Sequence, residues 1–244
     1  QLVEYHKVQI LDPATGTGTF PAQVIRQVYE NLVENGMCGI WSDYVKEHLI
    51  PRLNAFEFMM SPYAIAHIKL NLVLNQIGGI NTTEGIGKRL NVFLTNSLEN
   101  YNDTIGTLFG QWLSTEAQEA DRVKRDTPVM VMLGNPPYKG ISENNSEWIT
   151  DLIKDYKIEP NSNVPLKEKK NWLNDDYVKF IRLGQFFVDK NKEGIMAYIN
   201  NNHFLDNVTF RGMRWSLLKS FDEIYIINLH GEMKEKTPSG SKDE

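Results

Sequence analysis

Residues 8–20 read Val-Gln-Ile-Leu-Asp-Pro-Ala-Thr-Gly-Thr-Gly-Thr-Phe, and their reading decides the fold. The apolar run 8–12 is a strand candidate that ends in an acid, Asp12. A loop of small residues follows, and a helix is expected to begin near Pro21. A strand, a tight loop and a helix N-terminus make a pocket where backbone N–H groups face a ligand, and a nucleotide-like cofactor is the natural occupant. The nicotinamide fingerprint needs a third glycine where Pro21 stands and an acid about twenty residues further on, but the next strand-end acid is Glu57. A phosphate-binding loop is also excluded, because no Gly-Lys-Ser/Thr follows. What remains is two glycines for close approach, Gly16 and Gly18, and a carboxylate where a lysine would otherwise stand. That combination suits a cationic cofactor.

Outward from this loop, β-branched apolar runs recur at 53–58, 91–95, 129–134, 194–200 and 223–229. Stretches of helical periodicity lie between most of them, notably 20–34, 62–75, 177–190 and 208–220. Alternation of this kind predicts βαβ units and a parallel sheet. Ser61 before Pro62 is expected to cap one helix, and Gly36 to stop another. Open α/β sheets bind ligands at the C-terminal edge of their strands. Glu57, ending the second strand there, can accept both hydroxyls of a ribose, and Asn96, ending the third, can accept from and donate to an adenine edge. The stretch 139–176, rich in Asn, Ser, Lys and Glu and holding Trp148 and Trp172, is too long for an ordinary α/β connection and reads as an insertion.

After the fourth strand comes Asn135-Pro136-Pro137-Tyr138. Two consecutive prolines fix φ and remove two donors, so the Pro136 carbonyl and the Asn135 side-chain oxygen are held rigidly as acceptors. Tyr138 adds a flat face. A planar exocyclic amine has two N–H donors, and two fixed acceptors can take both. The lone pair is then drawn out of conjugation while the base is held by stacking.

At these residues the sequence resembles the adenine-specific, γ-ordered amino-group DNA methyltransferases that use S-adenosyl-L-methionine. Residues 12–20 are similar to that family's first motif, Asp-Pro-x-x-Gly-x-Gly-x-Phe, and 135–138 to its Asn-Pro-Pro-Tyr motif, with the cofactor motif first. The resemblance covers nearly the whole chain. It implies a cofactor site at Asp12, Pro13, Thr15, Gly16, Gly18 and Phe20, with Glu57 on the ribose and Asn96 by the adenine. Many relatives carry aspartate at that last place, so Asn96 departs from the pattern. It also implies that a second aromatic residue clamps the flipped base opposite Tyr138, and spacing from the fifth strand favours Phe210 over Phe204. The stretch 208–231 looks most like single-chain restriction-modification enzymes of Type ISP or Type IIG. Those join nuclease, sometimes helicase, methyltransferase and target-recognition segments in one polypeptide.

The resemblance implies a Rossmann-like sheet of order 3-2-1-4-5-7-6 and double-stranded DNA as partner. Residues 232–244 are polar, so the seventh strand is expected beyond Glu244. The chain opens on Gln1, and only eleven residues precede Asp12, so we expect residues 1–244 to be a methyltransferase domain cut from a longer polypeptide. Asn-Pro-Pro-Tyr also occurs in enzymes that methylate guanine in RNA or a glutamine amide in protein. From another class, a DNA-remodelling or phage-defence module would bind cofactor without methylating.

Composition narrows these readings. Of the 244 residues 41% are hydrophobic and 23% charged, which excludes a disordered chain, and the lone Cys38 excludes a disulfide scaffold. No apolar run approaches the ~18 residues of a membrane span, and the expectation is a soluble cytoplasmic protein. No His or Cys cluster has metal-ligand spacing. Net charge is −5, but residues 1–121 hold 7 Lys+Arg against 13 Asp+Glu, while residues 122–244 hold 19 against 18. A polyanion should therefore meet the second half.

Overall fold

The computed structural model describes residues 6–80, 88–99, 108–138, 142, 144–167 and 171–229. Its strands are β1 (Gln9–Asp12), β2 (Leu53–Glu57), β3 (Asn91–Leu94), β4 (Val129–Gly134) and β5 (Ile195–Tyr198). All pairings are parallel, and the order is β3-β2-β1-β4-β5. The chain thus winds outward in both directions from β1 and places the topological switch point between β1 and β4, where such sheets bind ligands. This is the parallel α/β sheet expected from the alternating pattern, in the Rossmann-like form that the resemblance implied.

Neighbouring residues on each strand face opposite layers. Ala55 and Val92 join a core with helices α1 (Thr19–Glu34), α2 (Trp41–Tyr44) and α3 (Met60–Gly78). Phe56 and Phe93 face the other way, with Leu11 and Met132, against α4 (Leu108–Asp126), α5 (Glu147–Ile153) and α6 (Asp176–Asn191). A third cluster joins Ile153, Tyr156 and Tyr177 to Met213 and Leu217 of α8 (Arg211–Ser220), and short α7 (His203–Asp206) precedes it. At the N-terminal edge a buried amide ladder ties three strands. Asn54 Nδ2 donates to Gln9 Oε1 at 3.3 Å, and Asn91 Nδ2 donates to Asn54 Oδ1 at 3.3 Å.

Helix α1 ends as expected. Gly36 has φ +70°, and the Gly36 and Met37 amides donate back to the Val33 and Leu32 carbonyls at 2.9 and 2.7 Å. The start of α3 differs from expectation: Met59, not Ser61, is its N-cap, and the Tyr63 amide donates to the Met59 carbonyl at 3.1 Å. Glu57 causes this, because its Oε1 accepts the Met59 amide at 2.8 Å and turns the chain two residues early.

One further finding and one correction concern the second half. The insertion at 139–176 is folded where it is described. Its Ile149, Ile153 and Tyr156 are buried, Tyr156 donates to Gln185 Oε1 at 2.7 Å, and Glu159 accepts both Arg211 Nε and Nη2, at 2.8 and 2.6 Å. The expected sixth strand at 223–229 is absent, and those residues are irregular, with Tyr225 86% exposed and Ile227 88%. A strand in a sheet needs at least one buried face, and six of these seven residues are exposed, Asn228 being half-buried. Residues 232–244, and with them the argument for a seventh strand beyond Glu244, lie outside the described residues. No described helix is long and apolar enough to cross a membrane.

Candidate active site

The glycine loop lies between β1 and α1. Asp12 is buried at the end of β1, and its Oδ1 accepts the Ala14 amide at 3.2 Å. Its Oδ2 is buried without a hydrogen-bond partner among the described residues. Burial pushes the carboxyl up from 3.8 to about 7, against the opposing effects of the Ala14 amide and the nearby Thr15 hydroxyl, while the Glu57 charge adds to the rise. An unpaired buried carboxylate is a demand for a cation or a donor.

The two glycines do different jobs. Gly16 has φ +55° and open space where a Cβ would stand, so the backbone there is free to approach a ligand. Gly18, with φ +77°, would bring a Cβ to 3.3 Å from the Ala66 Cβ, so it serves the close packing of α1 on α3 as well as the turn. Pro13 is buried and its carbonyl accepts the Ser97 hydroxyl at 2.5 Å; Thr15 is buried and its amide donates to the Phe56 carbonyl at 2.9 Å. Phe20 is half-buried in the first turn of α1.

Glu57 ends β2 beside this loop. Its Oε2 accepts the Gly16 amide at 2.8 Å, while Oε1 takes Met59. The carboxylate is thus held at the loop by two backbone donors, with lone pairs left over. Phe58, next in the chain, is 71% exposed and offers a flat apolar face at the same edge. Sequence reading missed it, although an aromatic residue directly after a strand-end acid is a readable signal. Asn96 is half-buried beyond β3, in a turn braced by Lys124, whose Nζ donates to the Asn96 and Glu99 carbonyls at 2.8 and 2.6 Å.

Asn135, Pro136, Pro137 and Tyr138 follow β4 directly. Gly134 explains how close they come to the loop: a Cβ there would sit 2.8 Å from Asp12 Oδ1, so the carboxylate lies in the space a side chain would fill. The ladder continues one residue past β5, with the Ile199 amide donating to the Gly134 carbonyl at 3.0 Å. Pro136 is buried, whereas Asn135, Pro137 and Tyr138 are exposed, Tyr138 by 48%. The Tyr138 hydroxyl lies 2.6 Å from Asn135 Oδ1 and 2.9 Å from the Ile199 carbonyl, and its one hydrogen serves one of them at a time. Partial burial raises its pKa. Beneath the turn, the Tyr198 hydroxyl is buried and unpartnered, and burial, then the Asp12 charge, pushes its pKa well up.

Phe210 does not face this edge. It is 2% exposed, in the third core cluster, with its ring 6.4 Å from that of Tyr177. Residues Val208–Phe210 form a 3-10 turn leading straight into α8, which rotates the ring inward. Phe204, on α7, is half-buried, and its ring lies 6.5 Å from the same Tyr177, which also meets Tyr138 edge-on at 6.4 Å. Tyr177 thus meets both Tyr138 and Phe204, and these two are the aromatic rings of this group with surface to offer.

No protein-family profile and no curated protein matches the chain. Solved structures do. The chain is similar to a DrdV–DNA complex, at 30% identity and a TM-score of 0.64 over 88% of its length. It is similar also to two Type ISP restriction-modification enzymes, LlaBIII bound to DNA (26%, TM-score 0.67, 87% of this chain) and a nuclease-deletion mutant of LlaGI in complex with a DNA substrate mimic (26%, 0.68, 88%). The match spans 19%, 14% and 17% of those chains, so this sequence corresponds to less than a fifth of each.

Proposed function

We propose that the chain is the modification domain of a restriction-modification enzyme and transfers a methyl group from S-adenosyl-L-methionine to the exocyclic amine of adenine in DNA. One observation carries the reading: Gly134 sets the buried, half-paired Asp12 directly against the turn that holds Asn135 and Pro136. A site for a cationic cofactor and a site for a planar amine thus share one wall. The likeness to enzymes solved with DNA supports a DNA substrate over RNA or protein.

The residues fit such a cofactor. Asp12 would take its ammonium, the Gly16 backbone would line the methionine end, and Glu57 would hold the ribose beside the flat face of Phe58. When bound, the cofactor supplies an electrophilic methyl group. Everything else falls to the chain. Asn135 Oδ1 and the Pro136 carbonyl accept the two amine hydrogens, and the demand on them grows as the amine pyramidalises, so they contribute most in the transition state. Tyr138 and Phe204 hold the base, which must leave the duplex to reach them. No protein nucleophile is needed, and positioning provides much of the rate.

Nuclease and target-recognition segments, with or without a helicase, would be supplied by the same polypeptide. The test is methyl incorporation from labelled cofactor into DNA, with N6-methyladenine identified in the digested product. Asn135→Ala should lower turnover by about 100-fold or more while cofactor binding persists. Label in cytosine, or none in DNA at all, would refute the assignment.

A further inference from the structure

Asn96 poses a chemical problem for an adenine site. An asparagine amide has a carbonyl at one end and an NH2 at the other, of nearly the same shape. One orientation accepts from a 6-amino group. Rotated by half a turn, it donates to a 6-oxo group, so an asparagine alone does not tell the two purines apart.

The structure removes that freedom through a chain of hydrogen bonds. The Leu98 amide donates to Asn96 Oδ1 at 3.0 Å. Asn96 Nδ2 donates to Asn144 Oδ1 at 2.8 Å, and Asn144 Nδ2 donates to Asp176 Oδ1 at 3.0 Å. An ionised carboxylate only accepts. Asp176 therefore requires the NH2 end of Asn144, which leaves the Asn144 carbonyl for Asn96 and requires the NH2 end of Asn96 in turn. Donor and acceptor alternate without conflict from a backbone amide to a buried charge.

The far end of the chain is anchored. Asp176 and Lys179 are 4% and 2% exposed and lie three residues apart on α6. Lys179 Nζ donates to Ser142 Oγ at 2.8 Å, to Asn145 Oδ1 at 3.3 Å and to the Asn144 carbonyl, and the Ser142 hydroxyl also donates to Asp176. The loop bearing Asn144 is thus gripped by two opposite charges.

Resting on the cofactor reading above, we propose that Asn144 and Asp176 are positioning residues that lock the Asn96 amide in one orientation, and that this lock selects a 6-aminopurine nucleoside over its 6-oxo counterpart. The probes are S-adenosylhomocysteine and S-inosylhomocysteine, titrated into the chain by calorimetry. The unaltered chain should prefer the adenosyl compound by about tenfold or more, and Asn144→Ala and Asp176→Asn should each reduce that ratio by about fivefold. Adding Asn96→Asp to Asn144→Ala should restore the preference, because a carboxylate accepts in either orientation. A merely structural role would weaken both compounds alike. An unchanged ratio in both single variants, with the adenosyl compound still bound, overturns the lock alone. Binding of neither compound by the unaltered chain overturns the cofactor reading, and the lock with it.

Discussion

Two phenylalanines six residues apart should fail in opposite ways when truncated. Phe210 is buried beside Tyr177, Met213 and Leu217, so Phe210→Ala removes a core ring and leaves a cavity, at about 3–5 kcal/mol of stability. For a chain of this size that lowers the melting temperature on the order of 10 °C. Phe204 is only half-buried on short α7, and truncating it should leave melting within a few degrees of the unaltered chain. Its loss should show in base capture, where stacking on an aromatic ring contributes about 1–3 kcal/mol, a five- to 150-fold change in affinity. Thermal melting reads the first effect. Quenching of 2-aminopurine flanked by abasic sites in a short single strand reads the second, because a base without stacked neighbours loses fluorescence when it stacks on a ring. If Phe210→Ala melted normally yet abolished quenching, or if Phe204→Ala proved as destabilising as Phe210→Ala, the assignment of the clamp would be wrong.

Tyr138→Phe removes the hydroxyl that lies on Asn135 Oδ1, freeing the acceptor for the target amine, so 2-aminopurine quenching should be kept or strengthened; Tyr138→Ala should weaken it by about 1–3 kcal/mol. Equal losses in the two variants would show that the hydroxyl, and not the ring, carries the role. Asp12 gives a pH signature: its folded pKa near 7 lies above the unfolded 3.8, so the folded chain binds the extra proton and stability falls as pH rises from about 4 to 7. Asp12→Asn should therefore stabilise the chain by about 3–4 kcal/mol at pH 8 and by little at pH 4 in urea titrations, while abolishing cofactor binding; equal effects at both pH values would refute the shift.

The parts of this fold that were legible in sequence are those fixed by local chemistry. Strands β1 to β4 are short apolar runs because a parallel sheet covered on both faces needs nothing else, and their ends announce the site because polar residues interrupt the runs at Asp12, Glu57 and Asn135. What was not legible depends on partners far along the chain. The run 223–229 has strand composition, but a strand exists only when another pairs with it. Spacing favoured Phe210, yet spacing does not report rotation about a helix start, and the 3-10 turn turns that ring inward. The insertion looked unpatterned because its Asn and Ser residues are employed in bonds to α6, as Ser142, Asn144 and Asn145 are with Asp176 and Lys179. The repeat of Ile149, Ile153 and Tyr156, four and three apart, was the signal available there.

The two edges of the sheet make the strongest case for where function lies. Both bury polar side chains. At the N-terminal edge, Gln9, Asn54 and Asn91 satisfy one another across three strands, and such a ladder stabilises register without inviting a ligand. At the C-terminal edge, Asp12 Oδ2, the Tyr198 hydroxyl and Asn200 Oδ1 are buried and unpaired among the described residues. The other buried side-chain atoms without a partner among the described residues are on Thr15, in the loop beside Asp12, and on Trp41, His67, Tyr177 and Arg182. An unsatisfied polar group costs about 1–3 kcal/mol, so a cluster of them on one edge is a burden that packing alone would not retain. Gly134 deepens that burden, since it admits the Asp12 carboxylate where an alanine would exclude it. A bound cation with donors of its own would complete the C-terminal edge as the amides complete the other, and because it would bind the folded chain alone it would return stability that the unpaired Asp12 costs.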